Sequence, residues 1–83
     1  MDDRLTLRIL TPEGTAFEGT VDAVFLPGTR APFEVLPGHA PIISSLTAGP
    51  LRWRVGDAET QMDVRTGAVM VKDNLIIVCA ERG

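Results

Sequence analysis

The turn signals of this chain are too closely spaced to leave room for ordinary helices. They fall at Pro12-Glu13-Gly14, Gly19, Pro27-Gly28, Pro37-Gly38, Gly49-Pro50, Gly56-Asp57, Gly67 and Asp73-Asn74. Glycine allows positive φ and proline fixes φ, so each cluster bends or reverses the backbone. Most intervals between them are roughly five to eleven residues, the length of short strands. Such regular punctuation predicts an all-β sandwich or barrel.

The segments between turns carry the matching periodicity. Leu5, Leu7 and Ile9 alternate with Thr6 and Arg8; Leu51, Trp53 and Val55 alternate with Arg52 and Arg54; Met62 and Val64 alternate with Asp63 and Arg65. A period of two marks a strand with one buried face. Gly56-Asp57 reads as a hairpin turn between the Trp53 and Met62 strands. Asp73-Asn74 joins Ala68–Lys72 to Leu75–Ala80 in the same way. No repeat, low-complexity tract or linker interrupts the 83 residues, which form one domain spanning 1–83.

Two segments do not alternate. Val21–Leu26 has only Asp22 as a polar interruption, and Leu75–Val78 is apolar throughout. A sandwich covers only the inner face of each sheet. Residues apolar on both faces therefore call for a cover on an outer face, and another subunit is the simplest one, with wrapping loops as the alternative. Small size points the same way, because a chain this short buries only about 60% of its unfolded surface.

The chain has one histidine, one cysteine and no tyrosine, which leaves little for catalysis. Ser44 and Ser45, the serines nearest His39, sit in or beside an apolar strand and not on a nucleophile elbow. One His and one Cys form no metal-ligand spacing, and the glycines fall singly and form no phosphate loop. No catalytic, cofactor-binding or metal-binding residue is expected. Cys79, within Leu75-Ile76-Ile77-Val78-Cys79, reads as a buried and inert thiol. Met1-Asp2-Asp3-Arg4 lacks the basic start and apolar core of a signal peptide, and no apolar run approaches a membrane span.

Two features suggest readings from other classes. Arg52-Trp53-Arg54 suggests an OB-like single-stranded nucleic-acid binder, but alternation puts Trp53 on the face opposite both arginines, and the net charge is −3. Lys72, the only lysine, stands before a hairpin turn as in a lysine-carrier domain, but its flanks are Val71 and Asp73 and not methionines.

The most distinctive segment is Leu36-Pro37-Gly38-His39-Ala40-Pro41. Pro37 and Pro41 push Leu36 and Ala40 toward extended geometry, and Gly38 permits a sharp reversal. The segment encodes a stiff corner suited to docking. His39 either hydrogen-bonds a nearby carbonyl within the corner or faces a partner across it.

Together with Leu7-Arg8-Ile9-Leu10-Thr11-Pro12-Glu13-Gly14, Phe17-Glu18-Gly19-Thr20-Val21, Leu26-Pro27-Gly28-Thr29, Leu46-Thr47-Ala48-Gly49-Pro50-Leu51 and Asp73-Asn74-Leu75-Ile76-Ile77-Val78, this corner resembles the N-terminal domain of the ε subunit of bacterial F-type ATP synthase. The mitochondrial equivalent is called δ. The resemblance implies a flattened antiparallel β-sandwich of about ten short strands. It implies a non-catalytic rotor subunit of the central stalk that couples proton or sodium flow to ATP synthesis. The implied partners are the γ subunit of F1 and the c-ring of Fo, with no nucleic acid and no cofactor. The implied place is the cytoplasmic face of the bacterial inner membrane, held there through the complex.

By position, the γ contact maps to Thr11, His39 and Ser44. The c-ring contact maps to the loop Thr29, Arg30, Ala31, Pro32, Phe33 and Glu34. That loop departs from the commoner Gly- and Glu-rich pattern, since Arg30 brings a cation and Pro32 stiffness. The chain stops at Glu81-Arg82-Gly83, before the C-terminal helical hairpin of many members, so the resemblance is to the short form made of the sandwich alone.

Overall fold

The computed structural model describes residues 4–83. The first three residues, part of the domain expected over 1–83 and of the start that lacks signal-peptide character, lie outside the described residues. Eight strands follow one another: β1 (Leu5–Thr11), β2 (Gly14–Val21), β3 (Ala23–Leu26), β4 (Phe33–Val35), β5 (Ile42–Leu46), β6 (Gly49–Val55), β7 (Ala58–Lys72) and β8 (Leu75–Arg82). No helix occurs among the described residues, as the turn spacing predicts.

The sandwich is made by one strand that belongs to both of its layers. β7 runs for 15 residues. Its first half, Ala58–Val64, pairs with β6, which continues through β3 to the edge strand β4. Its second half pairs with β5 on one side and β8 on the other, and β8 continues through β1 to the edge strand β2. The change of layer occurs at a β-bulge between Val64 and Thr66. A bulge inserts an unpaired residue, sharpens the local twist and shifts the side-chain phase by one. Met62 and Val64 therefore face the core before it, and Val69 and Val71 after it.

Among the described residues the strands number eight against the expected ten or so, and the continuity of β7 accounts for part of the difference. Gly67, a turn signal in the sequence, lies where the chain runs on as strand. Gly67 serves a close approach: a Cβ there would lie 2.5 Å from the Cys79 carbonyl oxygen and 2.9 Å from the Ala80 Cα. The expected antiparallel order holds for every pair except one, since β1 and β8 are parallel. Conversely, Val21–Leu26 is not one strand. Asp22 makes a corner between β2 and β3, where its carboxylate accepts the Gly56 N–H at 2.7 Å and the Arg4 Nε at 3.0 Å.

Both predicted hairpins are present. β6 turns into β7 at Gly56-Asp57, and β7 into β8 at Asp73-Asn74. Asp73 and Asn74 both have positive φ, 52° and 62°, the pattern of a two-residue type I′ turn whose twist matches that of the flanking strands. The core takes one parity from each of β1, β6 and β8: Leu5, Leu7 and Ile9; Leu51 and Trp53; Ile76, Val78 and Ala80. Trp53 lies inside, as alternation predicts, with its ring centroid 4.8 Å from that of Phe17.

Candidate docking surfaces

The outward parity of the β5-β7-β8-β1-β2 layer is apolar at its centre. Register sets the side chains in rows, because directly paired residues share a face. One row runs Ile43, Met70, Ile77, Arg8, Glu18; the next runs Ser45, Ala68, Cys79, Leu10, Thr15. Ile43 is 83% exposed and Met70 36%, while the inward Val69, Val71, Ile76 and Val78 are closed to solvent. Ile43, Ala68, Met70, Ile77 and Cys79 line a shallow hollow of about 290 Å³. Polar residues border it: Lys72 and Thr6 at one end, and the ion pair between Arg8 Nε and Glu18 Oε2, at 3.8 Å, along one side. An apolar centre within a polar rim is the anatomy of a docking surface.

Cys79 is exposed in this hollow, which corrects the expectation of a buried thiol. The physical reason is parity. Ile76, Val78 and Ala80 occupy the inner positions of β8, so Cys79 falls outside. Within an unbroken apolar run no polar residue marks which parity faces out.

The corner at one end of this face is a tight turn. The His39 N–H donates to the Leu36 carbonyl at 3.1 Å, with Pro37 second and Gly38 third, at φ 86°. Proline followed by a positive-φ glycine is the type II pattern. The Gly38 N–H donates to Asn74 Oδ1 at 2.8 Å, tying the corner to the β7–β8 turn. His39 is half-buried, and its Nδ1 donates to the Ala40 carbonyl at 2.7 Å, so Nδ1 holds the proton and Nε2 is left to other partners.

The residues mapped to γ do not form one cluster. His39 stands at the end of the face where Ile42 pairs with Val71. Thr11 stands at the other end, beside Leu10 and Cys79, with its hydroxyl on the Gly14 carbonyl at 2.9 Å. Ser44 lies between them in the chain but has the inward parity, paired with Val69. The apolar rows fill the space between His39 and Thr11. Ile43, Met70, Ile77 and Leu10 are not among the residues mapped to γ by the resemblance. The signal for Ile43 was present in the adjacent Ile42-Ile43 pair, which no alternation can bury on one face.

The loop mapped to the c-ring joins β3 to β4 and is anchored on the far end of β5. The Thr29 N–H donates to the Ser45 carbonyl at 3.1 Å, the Thr29 and Ser45 hydroxyls lie 2.7 Å apart, and the Thr47 N–H donates to the Pro27 carbonyl at 2.9 Å. Thr29, Arg30, Ala31, Pro32 and Glu34 are exposed. Phe33 is half-buried, packed on the core and paired with Leu26. The loop therefore shares an end of the molecule with Thr11, opposite His39.

The other outer face differs in kind. Its central row is Glu34, Phe25, Arg52, Gln61, with Arg54 paired to Glu59 beside it. The Arg52 guanidinium lies over the Phe25 ring, 4.7 Å from its centroid, and 3.4 Å from Glu59. Asp22 stands at the margin of this face. The Gly56 N–H, and after it the charge of Arg4, hold its carboxyl below the usual carboxylate value.

Among the described residues no group of three or more His, Cys, Asp or Glu side chains converges as a metal site would require. No helix among them is long and apolar enough to cross a membrane.

Comparison with known proteins agrees with the fold. Residues 4–83 match the family described as ATP synthase, Delta/Epsilon chain, beta-sandwich domain. The ATP synthase epsilon chain of Wolinella succinogenes is 39% identical over 82 residues, 98% of this chain and 63% of the relative. That of Leptospira borgpetersenii is 32% identical over 80 residues, 96% of this chain and 63% of the relative. The chain thus spans somewhat less than two thirds of the curated relatives it matches. A chain in the Euglena gracilis mitochondrial ATP synthase (OSCP/F1/c-ring, rotational state 1) has the same fold, with a TM-score of 0.90 at 18% identity over 96% of this chain and 52% of that one. This chain belongs to the β-sandwich domain family of the ATP synthase delta/epsilon chain.

Proposed function

We propose that the chain is a non-catalytic subunit of the central stalk of an F-type ATP synthase, coupling proton or sodium flow to ATP synthesis. The apolar outer face, bordered by His39 and Thr11, packs against the γ subunit. The Thr29–Glu34 loop meets the polar loops of the c-ring. The chain is held at the cytoplasmic face of the bacterial inner membrane through these partners and uses no cofactor. One observation supports this above the rest: the cross-strand row Ile43-Met70-Ile77 lies open on a molecule whose opposite face is charged.

The mechanics follow from the fold. A sandwich whose layers share a continuous strand transmits load through backbone hydrogen bonds and not through a flexible link. Torque from the ring then reaches γ with little loss to internal strain.

The test is recovery of partners from detergent-solubilised membranes with the tagged chain. Retention of γ and the c-ring is the expected result. Absence of both would overturn the assignment. An Ile43→Asp variant is expected to lose γ, since it places a charge at the centre of a dry contact. Equal recovery of γ by this variant would remove the apolar face from the contact.

A further inference from the structure

We propose that Asn74 is a positioning residue, which fixes the Leu36–Pro41 corner to the β7–β8 turn and so presets the edge of the face that docks. The proposal rests on the docking of that face on γ. Asn74 touches three parts of the molecule. Its own backbone forms the second position of the β7–β8 turn, its carbonyl accepts the Thr6 N–H of β1 at 2.9 Å, and its side chain accepts the Gly38 N–H of the corner at 2.8 Å.

Turn chemistry alone does not call for asparagine here. A type I′ turn is served best by glycine at its second position, because glycine takes positive φ without strain. Asparagine tolerates that φ at some cost and adds a side-chain oxygen. That oxygen is spent on a partner 36 residues away in the chain. The donor is a backbone N–H, so the orientation of the amide group follows without ambiguity.

The anchored corner has no other such tie. Among the described residues, the bond from Gly38 to Asn74 is the one hydrogen bond joining residues 36–41 to another part of the chain; the His39 bonds to Leu36 and Ala40 are local. The corner leads directly into the edge strand β5, which carries Ile43. An edge strand is paired on one side only, so its leading end is held by what precedes it. Fixing Gly38 therefore fixes both the half-buried His39 and the approach to Ile43 before any partner arrives. A preset surface loses less conformational freedom on binding than one ordered by the partner.

Two variants of the 83-residue chain separate this role from turn formation. Asn74→Gly keeps the turn and deletes the acceptor. Asn74→Asp keeps an acceptor oxygen and the tolerance of positive φ. Amide exchange of Gly38 is followed by NMR without partner, and binding of purified γ is measured by calorimetry. Asn74→Gly is expected to speed Gly38 exchange about fivefold and to weaken γ binding by a similar factor, the scale of one neutral hydrogen bond. Asn74→Asp is expected to restore both.

Unchanged Gly38 exchange in Asn74→Gly overturns the proposal. So does faster exchange with unchanged γ affinity, or failure of Asn74→Asp to rescue. If the unsubstituted chain does not bind γ, the docking reading falls and with it the docking role of Asn74. The exchange comparison, made without γ, still decides whether the latch exists.

Discussion

The two outer faces of this sandwich are built by the same rule and end up opposite in character. On the β5-β7-β8-β1-β2 layer the central row reads Ile43, Met70, Ile77 before it meets Arg8 and Glu18. On the β4-β3-β6-β7 layer it reads Glu34, Phe25, Arg52, Gln61. Inside, both layers contribute the same kind of residue to one core. An antiparallel sheet can face water on one side, and the second layer does so with charge. Phe25 does not break this rule, because the Arg52 guanidinium covers its ring. The first layer leaves apolar area exposed that its own chain does not cover. The contrast supports the first side as the docking face proposed above.

The comparison sets a scale for experiments, beginning with the core that both faces share. Leu51→Ala is expected to destabilise the fold by about 2–5 kcal/mol, as deletion of a fully buried leucine does. Urea unfolding measures it, and a cost below about 1 kcal/mol would mean that the layers are not packed as described.

Next in size is the apolar face itself. Ile43→Asp with Met70→Asp is expected to weaken γ binding by about 2 kcal/mol or more while leaving stability within about 0.5 kcal/mol, because both residues stand outside the core. A large loss of stability with binding intact would reverse the assignment of the two faces.

A smaller effect is expected on the charged face. Arg52→Ala removes a half-exposed contact with Phe25 and an exposed ion pair with Glu59, together about 0.5–1 kcal/mol. Binding of γ should not change, and a matching loss of affinity would show that this face also docks.

The least effect is a matter of acidity at the margin. Asp22 has a folded pKa below its ordinary value, chiefly through the Gly56 N–H. Its stabilising contribution is then complete above the unfolded pKa and disappears as pH falls through the folded one. Asp22→Asn is therefore expected to differ from the unsubstituted chain near neutral pH, with the difference closing in acid. Parallel stability curves across that range would remove Asp22 from the acid response.

Much of the fold was legible because strand, turn and core signals agreed. Trp53 could be placed inside because Arg52 and Arg54 flank it in a strict period of two. The Asp73-Asn74 hairpin was legible from two residues that tolerate positive φ. The site was less legible. Leu75–Val78 is apolar on both parities, so its inner side was hidden and Cys79 was assigned to the wrong one. Gly67 resembled a turn because a glycine that relieves a close approach and one that permits reversal look alike in sequence. Thr11 and His39 were mapped to one contact, yet strand direction puts them at opposite ends of the face.

The sequence by itself determined an all-β domain, its hairpins and the inner parity of most strands. These follow from short-range spacing, which fixes local geometry and alternation. Only the tertiary structure decided that β7 serves both layers, that β1 runs parallel to β8, and that Ile43, Met70 and Ile77 meet in one row. Those depend on register between segments far apart in the chain, and a slip of a single residue there exchanges one face for the other.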